Sequence, residues 1–131
     1  MKDTAVLDRS SSYIRMDHGT HQQYADAMQR NKTFYAQHPK RVLELVRQLE
    51  FSFPGGGQVD RLEHSLQTAT RALKAGECDE FVVAALIHDV GDLISPHNHA
   101  DIAADVIRPY ACRNIFWMVK HHGIFQGYYF W

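Results

Sequence analysis

One segment constrains the fold more than any other: an apolar run over residues 81–87, FVVAALI, that is followed at once by His88 and Asp89. A helix that is apolar on every side has no face for water, so this segment is expected to lie at the centre of a domain. A buried carboxylate costs several kcal/mol unless a cation pairs with it or a metal ion binds it. No lysine or arginine lies close by in the sequence, which leaves a metal ion or an arginine from a distant segment as the partner.

The rest of the chain predicts an all-α helical bundle, because no stretch alternates with a period of two for long enough to form a strand. The predicted helices cover about 19–31, 39–50, 59–75, Asp79 to Gly91, Asn98 to Pro109 and 111–122, the last ending at Gly123. Asp79 and Asn98 are the predicted N-caps, with Asp101 completing a capping box with Asn98. Residues 1–17 are predicted to be a loose N-terminal arm before a single helical domain, 18–131, and FPGGGQ, 53–58, a loop.

The composition argues against several classes of function. The formal net charge is −1 and the pI is near 6.7, so no basic excess points to nucleic acid or to an anionic membrane surface. No apolar run approaches the ~20 residues of a membrane span, and the first residues lack the apolar centre of a signal peptide. Cys78 and Cys112 have no paired spacing and are predicted to be buried thiols of a cytoplasmic protein.

His64 occupies an unusual position on the third predicted helix. Leu62, Leu66, Ala69 and Leu73 share one face, which is predicted to pack against the core. His64 projects from the opposite side, among small neighbours, by the 100° that separates successive residues of a helix. It is therefore either a ligand with room around it or a solvent-facing or capped histidine.

A choice between neighbouring histidines arises at the fifth helix. His99 takes the first helical position after Asn98, which aims its side chain towards whatever lies at the start of that helix. His97 falls in the loop before the cap. The pattern favours His99 as a ligand, with His97 as the alternate.

The same choice arises at the end of the sixth helix. Ile115, Met118 and Val119 form a predicted inward stripe. His122 continues this stripe at helical spacing, whereas His121 lies on the flank, so His122 is favoured and His121 is the alternate.

These histidines and Asp89 come from four predicted helices and are expected to converge in one polar cavity. Each histidine alone could be a satisfied core residue. Together, imidazole and carboxylate ligands suit iron, manganese, zinc or cobalt, and the absence of a cysteine ligand argues against a thiolate site.

The order of these motifs resembles the HD-domain superfamily of metal-dependent helical proteins. His64 is followed by His88-Asp89 within LEHSLQTATRAL and VVAALIHDVGDLI, and then by HADIAADVI and WMVKHHG, over about residues 59–125. The two further histidines, His99 and His122, are similar to those of the dinuclear branches, the HD-GYP phosphodiesterases and the mixed-valent diiron oxygenases. EHSLQTA resembles the oxygenase branch, which includes inositol oxygenase and the oxygenases that cleave 1-hydroxyphosphonates, and no GYP signature follows.

The resemblance implies a ligand set and a reaction. His64 and His88 would hold one iron, His99 and His122 the other, and Asp89 would bridge them as the catalytic carboxylate. The implied cofactors are two Fe ions, Fe²⁺ and Fe³⁺, and the implied partners are O₂ and a small hydroxylated substrate that is cleaved oxidatively. The superfamily's last aspartate ligand would lie beyond His122, so the domain is expected to continue past Trp131.

The chain also departs from the resemblance in its substrate residues. Pro54 and Gly57 stand where hydroxyphosphonate oxygenases carry Tyr and Glu, and Asp92 replaces a basic residue that holds anionic substrates in many relatives. Asp92 would face a cationic or polyol substrate, or be a solvated helix-end acid. Lys120 and Gln126 are the other predicted substrate contacts.

Two further functions stay open from the sequence. The same ligands could hold Mn²⁺, Mg²⁺ or Zn²⁺ in a dinuclear phosphohydrolase or phosphodiesterase, although few lysines and arginines lie near the motif to bind phosphate. A degenerate HD module that binds metal or a partner without chemistry is the third possibility. The aromatic ending GIFQGYYFW would suit a homodimer interface.

Overall fold

The computed structural model describes residues 13–52 and 58–129, and these residues form helices and turns without a strand. The all-α prediction is therefore confirmed. The predicted loop FPGGGQ falls almost wholly on residues 53–57, which lie outside the described residues. None of the helices described combines the length and the hydropathy that crossing a bilayer requires.

The chain divides into two compact units, Met1–Pro39 and Lys40–Trp131. In the first unit a 3-10 turn, Met16–His18, precedes helix α1, His21–Ala36, so the predicted helix bounds of 19–31 are wrong. Helix α1 begins where Thr20 and Gln23 form a capping box, and none of its residues is buried. The predicted division of the chain at residue 18 stays a prediction.

The second unit is a helical bundle that surrounds α4. Its elements, with the start of α2 at the unit boundary, are α2 (His38–Gln48), α3 (Arg61–Lys74), α4 (Asp79–Ile87), α5 (His99–Ile107), α6 (Arg113–Gln126) and the 3-10 turns Leu49–Phe51, Val90–Leu93, Pro96–Asn98 and Gly127–Tyr129. Helix α3 packs on α4, α5 packs on α6, and α4 also contacts α6. Leu49, Ala84, Val90, Ala103 and Val119 lie in the fully buried centre.

Helix α4 occupies the central position that its apolar sequence predicts, with Ala84, Ala85 and Ile87 buried. Its bounds differ from the prediction. Cys78, not Asp79, is the N-cap, and the helix ends at Ile87 because the backbone leaves helical geometry at Asp89, where φ is −103° and ψ is 4°.

The predicted burial of the two cysteines is wrong. Cys78 and Cys112 are free and exposed, and they take the N-cap positions of α4 and α6 rather than places inside helices. An N-cap lies where the chain enters the helix from a surface connection, which explains why the thiols reach solvent.

The inward face of α3 differs in part from the prediction. Leu62 packs against the core and Ala69 is half-buried, but Leu66 and Leu73 are exposed. Ser65 and Ala72 are buried instead, and His64 is half-buried. Helices that meet through small side chains can approach closely; α3 packs on α4, and the residues that α3 buries, Ser65 and Ala72, are small. The face that carries His64 is therefore the packed face.

The capping of α5 at its start and the end of α6 both differ from the prediction. Asn98 is the N-cap of α5, but its side chain makes no capping hydrogen bond, so the predicted capping box with Asp101 is wrong. Helix α6 continues through Gly123 to Gln126, because a single glycine inside a helix costs only about 1 kcal/mol relative to alanine. The inward stripe of α6 is confirmed, with Ile115 and Val119 buried.

Candidate metal centre

Asp89 is the centre of the site. It follows directly after His88, the C-cap of α4, and begins the 3-10 turn Val90–Leu93. Asp89 is 1% exposed and His88 is 7% exposed, so both members of the pair are buried. The burial predicted from the apolar run is confirmed.

One oxygen of Asp89 faces a first pair of histidines. Asp89 Oδ2 lies 3.5 Å from His64 Nε2 and 3.3 Å from His88 Nε2. The two ring nitrogens lie 3.1 Å from each other. Helix α3 therefore brings His64 to the end of α4, and the three side chains form one candidate metal-binding group.

The other oxygen of Asp89 faces a second pair. Asp89 Oδ1 lies 3.6 Å from His99 Nε2 and 3.4 Å from His122 Nε2, and these two nitrogens are 3.2 Å apart. His99 is the first residue of α5, and His122 lies in the last turns of α6. The second candidate group thus shares only Asp89 with the first.

Backbone carbonyls orient three of the imidazoles. The contacts are His88 Nδ1 to Ala85 O at 2.8 Å, His99 Nδ1 to Pro96 O at 2.8 Å and His122 Nδ1 to Val119 O at 2.6 Å. A carbonyl oxygen only accepts, so each Nδ1 carries a hydrogen and a neutral ring presents the lone pair of Nε2 to the centre. This is the arrangement in which an outer partner prepares a histidine for a metal ion.

The donor set fits metal ions. Two neutral Nε2 atoms that face each other with lone pairs repel unless a proton or another cation lies between them. Ligand atoms about 2.1 Å from one ion, at angles of 90–110°, are about 3.0–3.4 Å apart by simple geometry. The Nε2 pairs, at 3.1 and 3.2 Å, fall in this range.

An arginine that sequence reasoning missed completes the site. Arg61, the first residue of α3, places Nη1 3.1 Å from Asp89 Oδ2 and Nε 3.0 Å from Asp92 Oδ2. It is the distant arginine that the sequence left open as an alternative to a metal ion. Its spacing of three residues from His64, on one face of a helix, is the signal that could have identified it.

Arg61 does not by itself neutralise the centre. Asp89 and Asp92 carry two negative charges against one positive charge on Arg61, so with neutral histidines the cluster keeps a net charge of −1. Such a buried excess favours a further cation. The arginine and the metal ions are therefore compatible.

One of the two roles predicted for Asp92 is wrong. Its side chain is 5% exposed, so it is not a solvated acid, and Oδ1 lies 3.3 Å from His99 Nδ1. It therefore connects Arg61 to His99 behind the site, and it does not line the cavity described below. Its role as a substrate contact stays a prediction.

The pKa values of His64 and His122 shift in opposite directions. Burial lowers the pKa of His64, and the neighbouring His88 lowers it further. Burial, the largest single influence, also opposes protonation of His122, but the protonated ring gains a hydrogen bond to Asp89, one to Val119 O and the attraction of the charges on Asp89 and Asp92, which together raise the pKa of His122. For Asp89, burial would raise the pKa, and hydrogen bonds from His122 and His88 nevertheless lower it.

The alternates and the other predicted contacts lie outside the cluster. His97 is exposed in the turn Pro96–Asn98, and His121 packs on Trp117 with ring centroids 4.8 Å apart. Lys120 pairs with Asp101 at 3.0 Å. The geometry thus brings together the five favoured residues and neither alternate.

A cavity of about 190 Å³ opens beside the cluster, between α3, α4 and α6. His64, His88, His122 and Gln126 are among the residues that line it, and the role of Gln126 as a substrate contact stays a prediction. A small molecule in this cavity would lie directly against three of the candidate ligands.

Gly91 allows α5 to reach the site. A Cβ atom added at Gly91 would lie 2.6 Å from the Cα of His99, closer than real side chains approach backbone. The turn Val90–Leu93 therefore packs directly on the first residue of α5. Sequence reasoning assigned Gly91 to a helix end and missed this close approach.

Comparison with known protein families agrees with this geometry. The model of the HD domain matches residues 61–127, half of the chain, from the start of α3 to the turn after α6. No curated protein shows a significant match. The matched region contains Asp89 and all four histidines of the two groups. The chain therefore belongs to the HD domain family.

Proposed function

We propose that the protein is a dinuclear metalloenzyme in which Asp89 bridges two metal ions. The observation that supports this is the opposed use of its oxygens, Oδ2 towards His64 and His88 and Oδ1 towards His99 and His122. A carboxylate has lone pairs on both oxygens and can bind one ion with each. A single-metal site would not need the second pair of histidines.

The residues around this bridge would position the ligands before any ion binds. The carbonyls of Ala85, Pro96 and Val119 hold three of the rings, and Arg61 holds Asp89 and Asp92. Preorganised ligands reduce the reorganisation needed on binding. Two iron ions held there would supply O₂ activation and electron transfer, the chemistry of an oxidative cleavage.

We propose that the substrate is a small hydroxylated molecule and that the reaction consumes O₂. Within the described ranges, the side chains that line the cavity include no lysine or arginine. Arg61 contacts Asp89 and Asp92, and Lys120 contacts Asp101. A phosphate group would need such cations, so the cavity fits an alcohol better than a phosphate ester.

A dinuclear phosphohydrolase with Mn²⁺, Mg²⁺ or Zn²⁺ is the second candidate. The observation that favours it is the guanidinium of Arg61, 3.1 Å from Asp89 Oδ2, where it could meet a phosphoryl oxygen bound at the first group. Arg61 would have to give up part of its contact with the acids to do so. For this reason we place the hydrolase second to the oxygenase, and a binding module without chemistry third.

The test is a metal count per chain on protein purified without added metal, with an EPR spectrum after partial reduction. We expect two irons, a coupled mixed-valent signal, and O₂ uptake with small alcohols. His88→Ala should remove metal, whereas His121→Ala should retain it, because His121 packs on Trp117 outside the cluster. Zinc or manganese with phosphatase activity would favour the hydrolase. Absence of bound metal after reconstitution would overturn both.

A further inference from the structure

We infer that the part of the substrate that does not react is small, uncharged and apolar, and that it binds between Phe81 of α4 and Met118 of α6. This inference rests on the proposed function, because it concerns the substrate of the same site. It goes further by assigning the chemical class of the group that the cavity accepts.

The cavity wall combines histidines with apolar side chains. On α4, Phe81, Ala84 and Ala85 lie one or two helical turns before His88, and on α6, Met118 and Val119 lie one turn before His122. These five side chains are apolar. A molecule with one polar end and one apolar end would therefore match the cavity in a single orientation, with its hydroxyl end at the metal centre.

Few hydrogen bonds are available along the wall. Thr68 lines the cavity, but its hydroxyl donates to His64 O at 2.8 Å, so its hydrogen is already used. Gln126 is the other polar side chain that lines the described part of the cavity, apart from the histidines. A polyol with hydroxyls on every carbon would lose most of its hydration without replacement hydrogen bonds, which opposes its binding.

Among the described residues that line the cavity, apart from the histidines, none carries a charge that could pair with a charged tail. Asp89, Asp92 and Arg61 contact one another and the histidines and are not among the residues that line the cavity. A carboxylate, ammonium or phosphate group in the apolar part would remain unpaired. An uncharged group avoids this cost.

The volume of the cavity indicates how large a group it can take up. An engineered apolar cavity of about 150 Å³ in another protein accepts benzene, which has six carbon atoms. A cavity of about 190 Å³ therefore accommodates a molecule of roughly six to nine non-hydrogen atoms. A six-membered ring with one or two hydroxyls on one edge has this size and polarity.

The test compares three ligands that share one ring. Titration calorimetry with the iron-loaded protein would measure the Kd of cis-1,2-cyclohexanediol, myo-inositol and cyclohexyl phosphate. We expect the diol to bind at least about tenfold more tightly than myo-inositol, the order of discrimination that an apolar pocket supplies. Equal or tighter binding of myo-inositol would overturn the inference. Tighter binding of cyclohexyl phosphate, which has the same apolar ring, would count against the oxygenase and not against the apolar wall.

Substitutions at Met118 locate the binding. Met118→Gln keeps the length of the side chain and adds an amide, so the diol should bind about tenfold more weakly, whereas the apolar Met118→Leu should stay within about threefold of the original protein. Equal Kd values for the two variants, at equal metal content, would contradict the assignment of the wall. Trp117→Gln on the exposed flank of the same helix is the matched control.

This design separates the inference from the proposed function. The apolar wall does not depend on the metal ions, so the ranking of the three ligands is also measured on the metal-free protein. If no metal binds, the proposed function fails, while the ranking still decides the inference. If two irons bind and myo-inositol is preferred, the inference fails and the metalloenzyme stands.

Discussion

Arg61 is the residue whose replacement most directly tests how the centre is held together. Its guanidinium contacts two side chains that are almost fully buried, Asp89 at 2% exposure and Asp92 at 5%, while its own side chain is 27% exposed. In Arg61→Gln both carboxylates keep only histidine partners. The net charge of the three groups changes from −1, with the arginine present, to −2.

The expected loss of stability follows from these contacts. Removing one partner of a buried ion pair costs about 3–5 kcal/mol. Asp89 keeps its contacts with His88 and His122, and Arg61 is partly exposed, so we expect a smaller loss of about 2–3 kcal/mol for the metal-free protein. In a unit of this size that corresponds to a decrease in Tm of roughly 10–20 °C.

Metal ions should reverse most of this loss. A divalent ion in the group of His64, His88 and Asp89 would replace the positive charge that the variant lacks at Asp89 Oδ2. Saturating metal should therefore raise the Tm of Arg61→Gln by more than it raises that of the original protein. Thermal melts followed by circular dichroism, with and without metal, measure both quantities.

A matched control lies on the same helix. Arg71 is exposed near the end of α3, and Arg71→Gln makes the same chemical change away from the cluster. If metal-free Arg61→Gln melts within about 2 °C of Arg71→Gln, the ion pairs of Arg61 contribute little net stability. If metal leaves the difference unchanged, the ion does not substitute for the guanidinium.

Four further predictions concern the remaining parts of the site. Gly91→Ala should destabilise the fold by about 1–3 kcal/mol, because the added Cβ collides with the backbone of His99. The same collision displaces His99, so the number of metal ions per chain should fall from two towards one. An unchanged number would contradict the close approach. The raised pKa of His122 stabilises the metal-free fold below the unfolded value of about 6.5, and this contribution should be lost as the pH rises through the raised value, which NMR titration and urea unfolding would detect. Because a metal ligand must be neutral, metal binding near pH 7 should also release protons; calorimetric heats that are equal in buffers of different ionisation enthalpy would refute this. The lowered pKa of His64 has the opposite effect on stability. The free energy of unfolding of the metal-free protein should decrease as the pH falls from about 6.5 through the lowered value, and His64→Gln should reduce that decrease.

Local patterns favour one histidine of each neighbouring pair, and the structure places that histidine beside Asp89. His99 begins a helix, whereas His97 lies before it, and His122 continues the stripe of α6, whereas His121 lies on the flank. Helical periodicity determines which residues share a face. Where one histidine of a pair extends an apolar stripe, it therefore points to the same side as the core.

Periodicity did not determine which face of α3 packs inward. The helix offers a face with Leu66 and Leu73 and a face with Ser65 and Ala72, and α4 packs against the smaller one. A hydrophobic pattern describes a helix in isolation, whereas close approach of two helices depends on the volume of the side chains between them. Packing against α4 therefore determines which face of α3 is buried.

The sequence by itself determined that the chain is all-α, that the apolar α4 is central, and that His88 and Asp89 close it in a buried position. These features depend on the order of apolar and polar residues along single helices, which is fully present in the sequence. Only the tertiary structure decided that Arg61 and Asp92 support the site and that the two oxygens of Asp89 face different pairs of histidines. Those relations join atoms on separate helices, and their distances depend on how the helices pack rather than on any local pattern.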